Sequence, residues 1–253
     1  MKIEKFLDSL PKSIISGEAV QLPEQSLRDI LKFAEANEND VFYHLGCGDA
    51  KGIALAIEEF GVQKAVGIDK NEEKIAEATK MLVEKKFKNC HLKCEDILDS
   101  EIKDATIILF WFSDSQIIEE MTVKFSSLKA GCKIVTLWSP LPEYMPDKVD
   151  FPYILNISPF KKTKNLKEQV LAIFGTECID FITAWEFAER YTKAIASPDA
   201  SNERFLTIVQ SLIIWINAKN MGIACEDEIP PPIRNYIHIL RTFFGIEVEH
   251  LLK

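Results

Sequence analysis

No run of apolar residues in this chain reaches the ~20 that a membrane-spanning helix requires. The longest lies near Ile208 to Ala218. From Met1 to Leu10 charged and apolar residues alternate, without the apolar core of a signal peptide. The expectation is a soluble, cytoplasmic protein with no membrane partner. Paired Cys-x-x-Cys spacing is also missing. The six cysteines, at 47, 90, 94, 132, 178 and 225, show no disulfide-like regularity, and Cys90, His91 and Cys94 lack the ligand spacings of a zinc site. No metal is expected, and scattered free thiols fit a reducing compartment. An excess of basic residues is lacking too: 30 Lys and Arg face 39 Asp and Glu, for a net charge of -9. That balance disfavours a broad nucleic-acid-binding surface, which needs clustered Lys and Arg, and is compatible with a basic protein partner.

What is present is an ordinary globular composition, 47% hydrophobic and 27% charged over 253 residues. Such a length holds one large domain or two small ones. A helix is predicted from about Pro23, with Leu27, Ile30, Leu31 and Ala34 at helical spacing. Strands and helices then alternate. Strands are predicted at Val41 to Leu45, Lys64 to Asp69, Cys90 to Cys94, Ala105 to Phe112 and Cys132 to Trp138. Helices are predicted at Ala50 to Phe60, Asn71 to Lys85 and Ser115 to Leu128. Alternation at this spacing implies βαβ units and a mostly parallel sheet covered by helices on both faces. Two further strands, Tyr153 to Ile157 and Gln169 to Phe174, are expected to form an antiparallel hairpin across the Lys-rich segment 161–167.

Past Gly175 the texture changes. One helix is predicted from Cys178 to Ala196, with Phe181, Trp185, Ala188 and Thr192 inward, and it stops at Ser197-Pro198-Asp199. A second, capped by Ser201, runs to Lys219, and a last one covers Ile233 to Phe244 behind a Pro-rich acidic loop. The expected organisation is therefore a Rossmann-like, seven-stranded, mostly parallel sheet over 1–175 and a small all-helical subdomain over 176–253.

The stretch that carries chemistry is strand, Gly46-Cys47-Gly48-Asp49-Ala50-Lys51-Gly52, helix, strand, Asp69. Glycines behind a first strand let backbone approach a ligand, and an acid at the end of the next strand can accept from both hydroxyls of a ribose. The NAD pattern calls for glycine at the sixth position, where Lys51 stands, and Asp49 would repel a pyrophosphate. An NAD-linked oxidoreductase is thus the weaker reading, and a nucleoside cofactor without phosphates the better one.

His44-Leu45-Gly46-Cys47-Gly48-Asp49, continuing to Ala65-Val66-Gly67-Ile68-Asp69, resembles motif I and the acidic second strand of class I S-adenosylmethionine (SAM) dependent methyltransferases. The likeness is greatest to the archaeal protein-lysine, Dot1-like branch, over roughly residues 20–140. The resemblance implies SAM as cofactor, with SAM or S-adenosylhomocysteine (SAH) bound by the turn His44 to Asp49, by Asp69 and Lys70 on the ribose, and by Glu95 and Asp96 at the adenine. It puts Leu22 and Pro23 in a cofactor-covering segment and Phe110 beside the methyl group. It makes Trp111, Phe112 and Asp114 the acceptor-side residues; a lysine amine also calls for a desolvating aromatic pocket, for which Trp138, at the end of the fifth strand, is a further candidate wall. It implies methyl transfer to a protein lysine, with a basic or lysine-rich protein as partner. The family usually carries an acid where His44 stands and a third glycine where Ala50 stands, so a non-catalytic binding or scaffold protein of the same fold is the alternative. The fourth strand lacks the Asn/Asp-Pro-Pro-Tyr of base amino-methyltransferases.

Overall fold

The computed structural model describes residues 21–195 and 203–252. The readings made on Met1 to Leu10, on Ser197-Pro198-Asp199 and on Ser201 lie outside them.

Residues Leu22–Gln169 form one compact unit and Val170–Lys253 belong to a second. The first opens with α1 (Glu24–Phe33), whose Leu27, Ile30 and Leu31 are buried as their spacing requires. Then follow β1 (Val41–Leu45), α2 (Lys51–Glu58), β2 (Lys64–Asp69), α3 (Glu72–Glu84), β3 (Cys90–Cys94), β4 (Ile107–Phe110), α4 (Ser115–Phe125) and β5 (Lys133–Leu137). The unit is completed by β6 (Lys148–Asp150) and β7 (Tyr153–Ile157). The sheet runs in the order β3-β2-β1-β4-β5-β7-β6. The first five strands are parallel, while β7 is antiparallel to β5 and to β6. This is the expected Rossmann-like architecture.

Alternation along the strands sorts their side chains between two helical layers. Tyr43, Leu45, Val66, Ile68, Ile108, Phe110 and Ile134 face a core closed by Met121 and Phe125 of α4. His44 lies on the other face, where Gly52 of α2 and Leu27 of α1 come together beside its ring. Asn71 starts α3 by accepting from Lys74 N at 3.0 Å, a stabilising N-cap bond.

Three expectations are corrected. Gln169 to Phe174 is not a strand: it lies in helix α5 (Leu166–Phe174). Gln169, Val170 and Ile173 are buried at helical spacing while Leu171 is 47% exposed. Asn165 Oδ1 accepts from Glu168 N at 3.1 Å at the helix start, and Gln169 Nε2 donates to the carbonyls of Leu141 and Tyr144. The hairpin partner of Tyr153–Ile157 is instead the upstream β6, only three residues long and too short to show a period. β4 and β5 are also shorter than read, so Trp111, Phe112 and Trp138 stand beyond the strand ends.

The third correction concerns the thiols. Cys178 and Cys225, 47 positions apart, form a disulfide, while Cys47, Cys90, Cys94 and Cys132 are free. The bridge lies in the second unit, built from α6 (Phe181–Ile195), α7 (Glu203–Asn220) and α8 (Pro231–Phe244). Residues 178–180 are not helical because Ile179 is in backbone pairing: its N–H donates to Ile223 O and its carbonyl accepts from Cys225 N. α6 begins where Asp180 Oδ1 accepts from Thr183 N at 2.7 Å. Ala188 and Thr192 point inward as read, and Trp215 of α7 is fully buried. Phe181 and Trp185 are half-buried and lie against Tyr236 of α8, at 6.0 and 6.2 Å.

Candidate active site

In an open parallel sheet, ligands lie across the carboxyl ends of the strands. Here those ends bring the predicted turn, Asp69, the Glu95-Asp96 pair and the β4 aromatics to one edge. Gly46, Gly48 and Ala50 all take positive φ, at 73, 53 and 58°. The turn thus folds back under the edge, with Gly46 N and Cys47 N donating to Ile68 O. At Gly46 a Cβ would come 3.1 Å from Phe112 Cζ, so glycine is what lets the β4 loop close on the turn. Ala50, where a third glycine was expected, sits in the left-handed basin at φ 58°, ψ 20° and is fully buried. Alanine tolerates that basin at a cost of ~1–2 kcal/mol, and the turn keeps its shape.

Asp69 ties the turn to the second strand. Its Oδ2 accepts from Gly48 N at 2.8 Å and its Oδ1 from Asn71 N at 2.9 Å. A carboxylate has about four lone-pair sites, so two remain for a diol. Lys70 beside it is exposed, and its carbonyl accepts the Cys94 thiol. Glu95 turns inward: its Oε1 accepts from Ser100 Oγ at 2.7 Å and from Lys93 Nζ at 3.2 Å. The Ser100 bond first, then Lys93, hold its carboxyl below the usual range. Asp96 is exposed, and its Oδ1 accepts from Leu98 N at 2.9 Å. Asp49 pairs with Lys51 at 2.9 Å. Leu22 is buried and Pro23 leads into α1, whose Leu27 reaches Gly52.

Phe110 is buried, edge-on to Phe125 at 5.2 Å and stacked on Phe112 at 5.0 Å. Trp111 and Phe112 are half-buried. Asp114 is the N-cap of α4: its Oδ1 accepts from Gln116 N and Ile117 N at 2.9 and 3.0 Å. Gly52 closed the predicted motif without a role of its own, and Phe151 was missed by sequence reasoning. Gly52 has no side chain where the His44 ring sits, and a Cβ there would lie 2.8 Å from Nδ1. Phe151, in the β6–β7 turn, packs at 6.2 Å from Trp138. The glycine spacing marked Gly52 but not its contact with His44, and β6 is too short to place the turn that carries Phe151. A charged groove between α1, α2 and α3, crossed by the Arg28–Glu59 and Lys85–Glu58 ion pairs, is lined at one end by Asp49 and Lys51 of the turn.

His44 is 9% exposed, and its Nδ1 is a buried polar atom without a partner. Burial pushes its pKa down from 6.5 to about 4, against the opposing pull of Asp49 and Asp69. The ring is therefore neutral when folded. An unfolded chain takes up that proton as pH falls through about 6.5, whereas the folded chain does not until about pH 4. This part of the stability is thus complete above pH 6.5 and lost between 6.5 and 4, amounting to roughly 3 kcal/mol. His44→Leu should flatten denaturant-derived stability against pH over that window. Parallel curves for wild type and variant would show that the ring is not buried neutral.

The arrangement fits S-adenosylmethionine. The glycine cradle admits a close ligand backbone, the Asp69 carboxylate suits a ribose diol, and the acidic rim of Asp49 and Asp69 suits a ligand without phosphates. A family profile described as a methyltransferase domain matches residues 36–129. A relative named protein-lysine N-methyltransferase, from Saccharolobus islandicus, is 30% identical over 119 residues, spanning 46% of this chain and 73% of its own. The fold is shared with an RNA methyltransferase from Salinibacter ruber solved in complex with S-adenosyl-L-homocysteine. The TM-score is 0.53 and the identity 23%, covering 58% of this chain and 99% of that one. Among the described residues no helix is long and apolar enough to cross a membrane. Turn, acidic strand end, domain profile and relative agree, and the chain belongs to the class I S-adenosylmethionine-dependent methyltransferases.

Proposed function

We propose that this methyltransferase acts on the ε-amine of a protein lysine. The observation that carries the reading is the aromatic edge behind β4, where Phe112 closes on Gly46 and Trp111 stands half-buried beside it. The name of the Saccharolobus relative supports it. In this reading Asp69, assisted by Lys70, holds the ribose and Asp96 the adenine amine, with Glu95 fixing the loop through Ser100. His44, Leu45, Gly46, Cys47, Gly48 and Asp49 surround the methionine end, Leu22 and Pro23 cover it, and Phe110 backs Phe112.

The cofactor supplies a methyl group already activated on a positively charged sulfur. The protein's work is to position the amine and to keep it neutral. An aromatic, partly water-excluded wall lowers a lysine pKa, because burial disfavours the charged form. Asp114 Oδ1 is committed to the α4 cap, so only Oδ2 is left to orient the amine. The helical unit recognises the protein that carries the lysine, a basic one given the chain's charge of -9, and nucleic acid is not the acceptor. We place the enzyme in the cytoplasm. Its four free thiols support that, and the Cys178–Cys225 bridge counts against it.

The test is a competition. Methyl-labelled cofactor is supplied with the full chain, a lysine-rich protein and total RNA, and the products are digested separately. Label in methyl-lysine is the expected result. Label released only by nuclease would replace the lysine reading with an RNA one.

A further inference from the structure

α6 opens with Phe181, and Trp185 follows one turn later on the same face. Tyr236 of α8 meets both. The three ring centroids form a nearly equilateral triangle with sides of 6.0, 6.2 and 6.3 Å, and each ring is partly exposed. Tyr191 and Trp215, by contrast, are buried in the core of the helical unit. Neither Trp185 Nε1 nor Tyr236 Oη makes a hydrogen bond among the described residues. The start of α6 is also tied to the acidic loop before α8. Cys178 and Cys225 are bonded with their Cα atoms 5.0 Å apart, and Ile179 bridges Ala224 in parallel. Glu177 and Asp180 of one segment therefore run beside Glu226, Asp227 and Glu228 of the other, and Phe181 follows directly on Asp180. Among the described residues none of these five carboxylates is in an ion pair. The two cations of this loop are spent on backbone carbonyls: Lys219 donates to those of Glu226 and Asp227, and Arg234 to that of Ile229. An aromatic trio thus adjoins a rim of uncompensated negative charge.

We propose that Phe181, Trp185 and Tyr236 form a docking surface for a methylated lysine side chain of a basic protein. A point about 3.5 Å above the centre of the triangle lies about 5 Å from all three centroids, within the ~6 Å at which a ring face attracts a cation. The only good acceptor on the rings is Tyr236 Oη, so a primary ammonium seated there leaves N–H donors unpaired. A trimethylammonium keeps the charge and has no N–H to satisfy. The acidic rim adds attraction for basic residues that flank the methylated one. The proposal rests on the lysine reading above for the class of ligand, which is that reaction's product, and on the ring triangle for the place. A partner held by a lysine already methylated keeps its remaining lysines at high effective concentration around the enzyme.

The experiment uses the full chain. It is titrated with Nα-acetyl-lysine methylamide in three forms: unmethylated, Nε-trimethylated, and a carbon isostere that ends in a neutral tert-butyl group. The indole N–H resonances are followed, with Trp185 assigned by Trp185→Phe. The trimethyl amide should shift the Trp185 resonance saturably, with an affinity about 3- to 30-fold above that of the other two. Tyr236→Leu should lower that affinity by a similar factor, while an unmoved resonance of the buried Trp215 shows that the helical unit stays folded. Asp227→Asn combined with Glu228→Gln should lower it by about two- to fivefold for a trimethyl-lysine flanked by two arginines, and less at high salt. Affinity for S-adenosylhomocysteine should stay within about twofold in both variants. A Trp185 resonance unmoved by the trimethyl amide overturns the proposal. Equal affinity for the isostere overturns it too, by reducing the trio to an apolar patch, and equal affinity for the unmethylated amide removes the preference for product. Trimethyl-lysine binding at Trp185 in a chain that transfers methyl to no protein lysine would sink the proposed activity and leave this surface standing.

Discussion

Asp69→Ala is expected to weaken S-adenosylhomocysteine binding by at least about 100-fold. The residue acts twice. It accepts from Gly48 N and Asn71 N, which fixes the turn against the start of α3, and in the proposed reading its remaining lone pairs serve the ribose. Hydrogen bonds to a charged partner are worth about 1.5–3 kcal/mol each, so losing two to the diol costs about 3–6 kcal/mol. At 1.4 kcal/mol per factor of ten, that is two to four orders of magnitude in affinity. Asp69→Asn retains one acceptor oxygen and should fall between the two. Calorimetric titration checks the series, with thermal melts confirming that each variant folds. A change of less than threefold in Asp69→Ala would mean that the carboxylate serves the turn alone.

The second large effect lies in the helical unit. Reducing the Cys178–Cys225 bond, or replacing Cys225 by Ser, should cost about 4 kcal/mol of that unit's stability. The closed loop spans 47 positions, and its closure entropy in the unfolded chain grows with the logarithm of that length. The backbone pairs of Ile179 with Ile223 and Cys225 are in place around the bond, so reduction leaves the folded contacts and frees the unfolded chain. Because the chain has two units, one two-state fit is unsuitable. Calorimetric scans with and without reductant should show one transition moving down and the other fixed. A trace unchanged by reductant would contradict this.

Much of the first unit was legible in the sequence because its signals are local. Four apolar runs and the mixed strand Cys90–Cys94 alternate with amphipathic helices, and Gly46, Gly48 and Asp69 stand at the spacing of a strand-turn-helix-strand unit. The departures were visible as letters but not as consequences. Ala50 looked like a defect in the turn, yet it adopts the left-handed geometry a glycine would. His44 looked like a lost acid, and its neutrality follows from burial that no sequence window displays. Asp114 read as an acceptor-side acid, whereas one of its oxygens caps α4. What failed was non-local. Leu166–Phe174 is helical partly because Gln169 is held by two carbonyls some 25 residues upstream. Cys178 meets Cys225 only through the fold of the helical unit. Phe151 gained its place from a three-residue strand that carries no pattern.

We propose that the carboxyl edge of β1, β2 and β4 holds the cofactor. Hydrogen–deuterium exchange of the full chain, with and without S-adenosylhomocysteine, tests it directly. Protection on binding should fall on 44–52, 69–71, 95–98 and 110–114, and should vanish in Asp69→Ala. Protection confined to residues 77–85 of α3, or to the helical unit, would contradict the account.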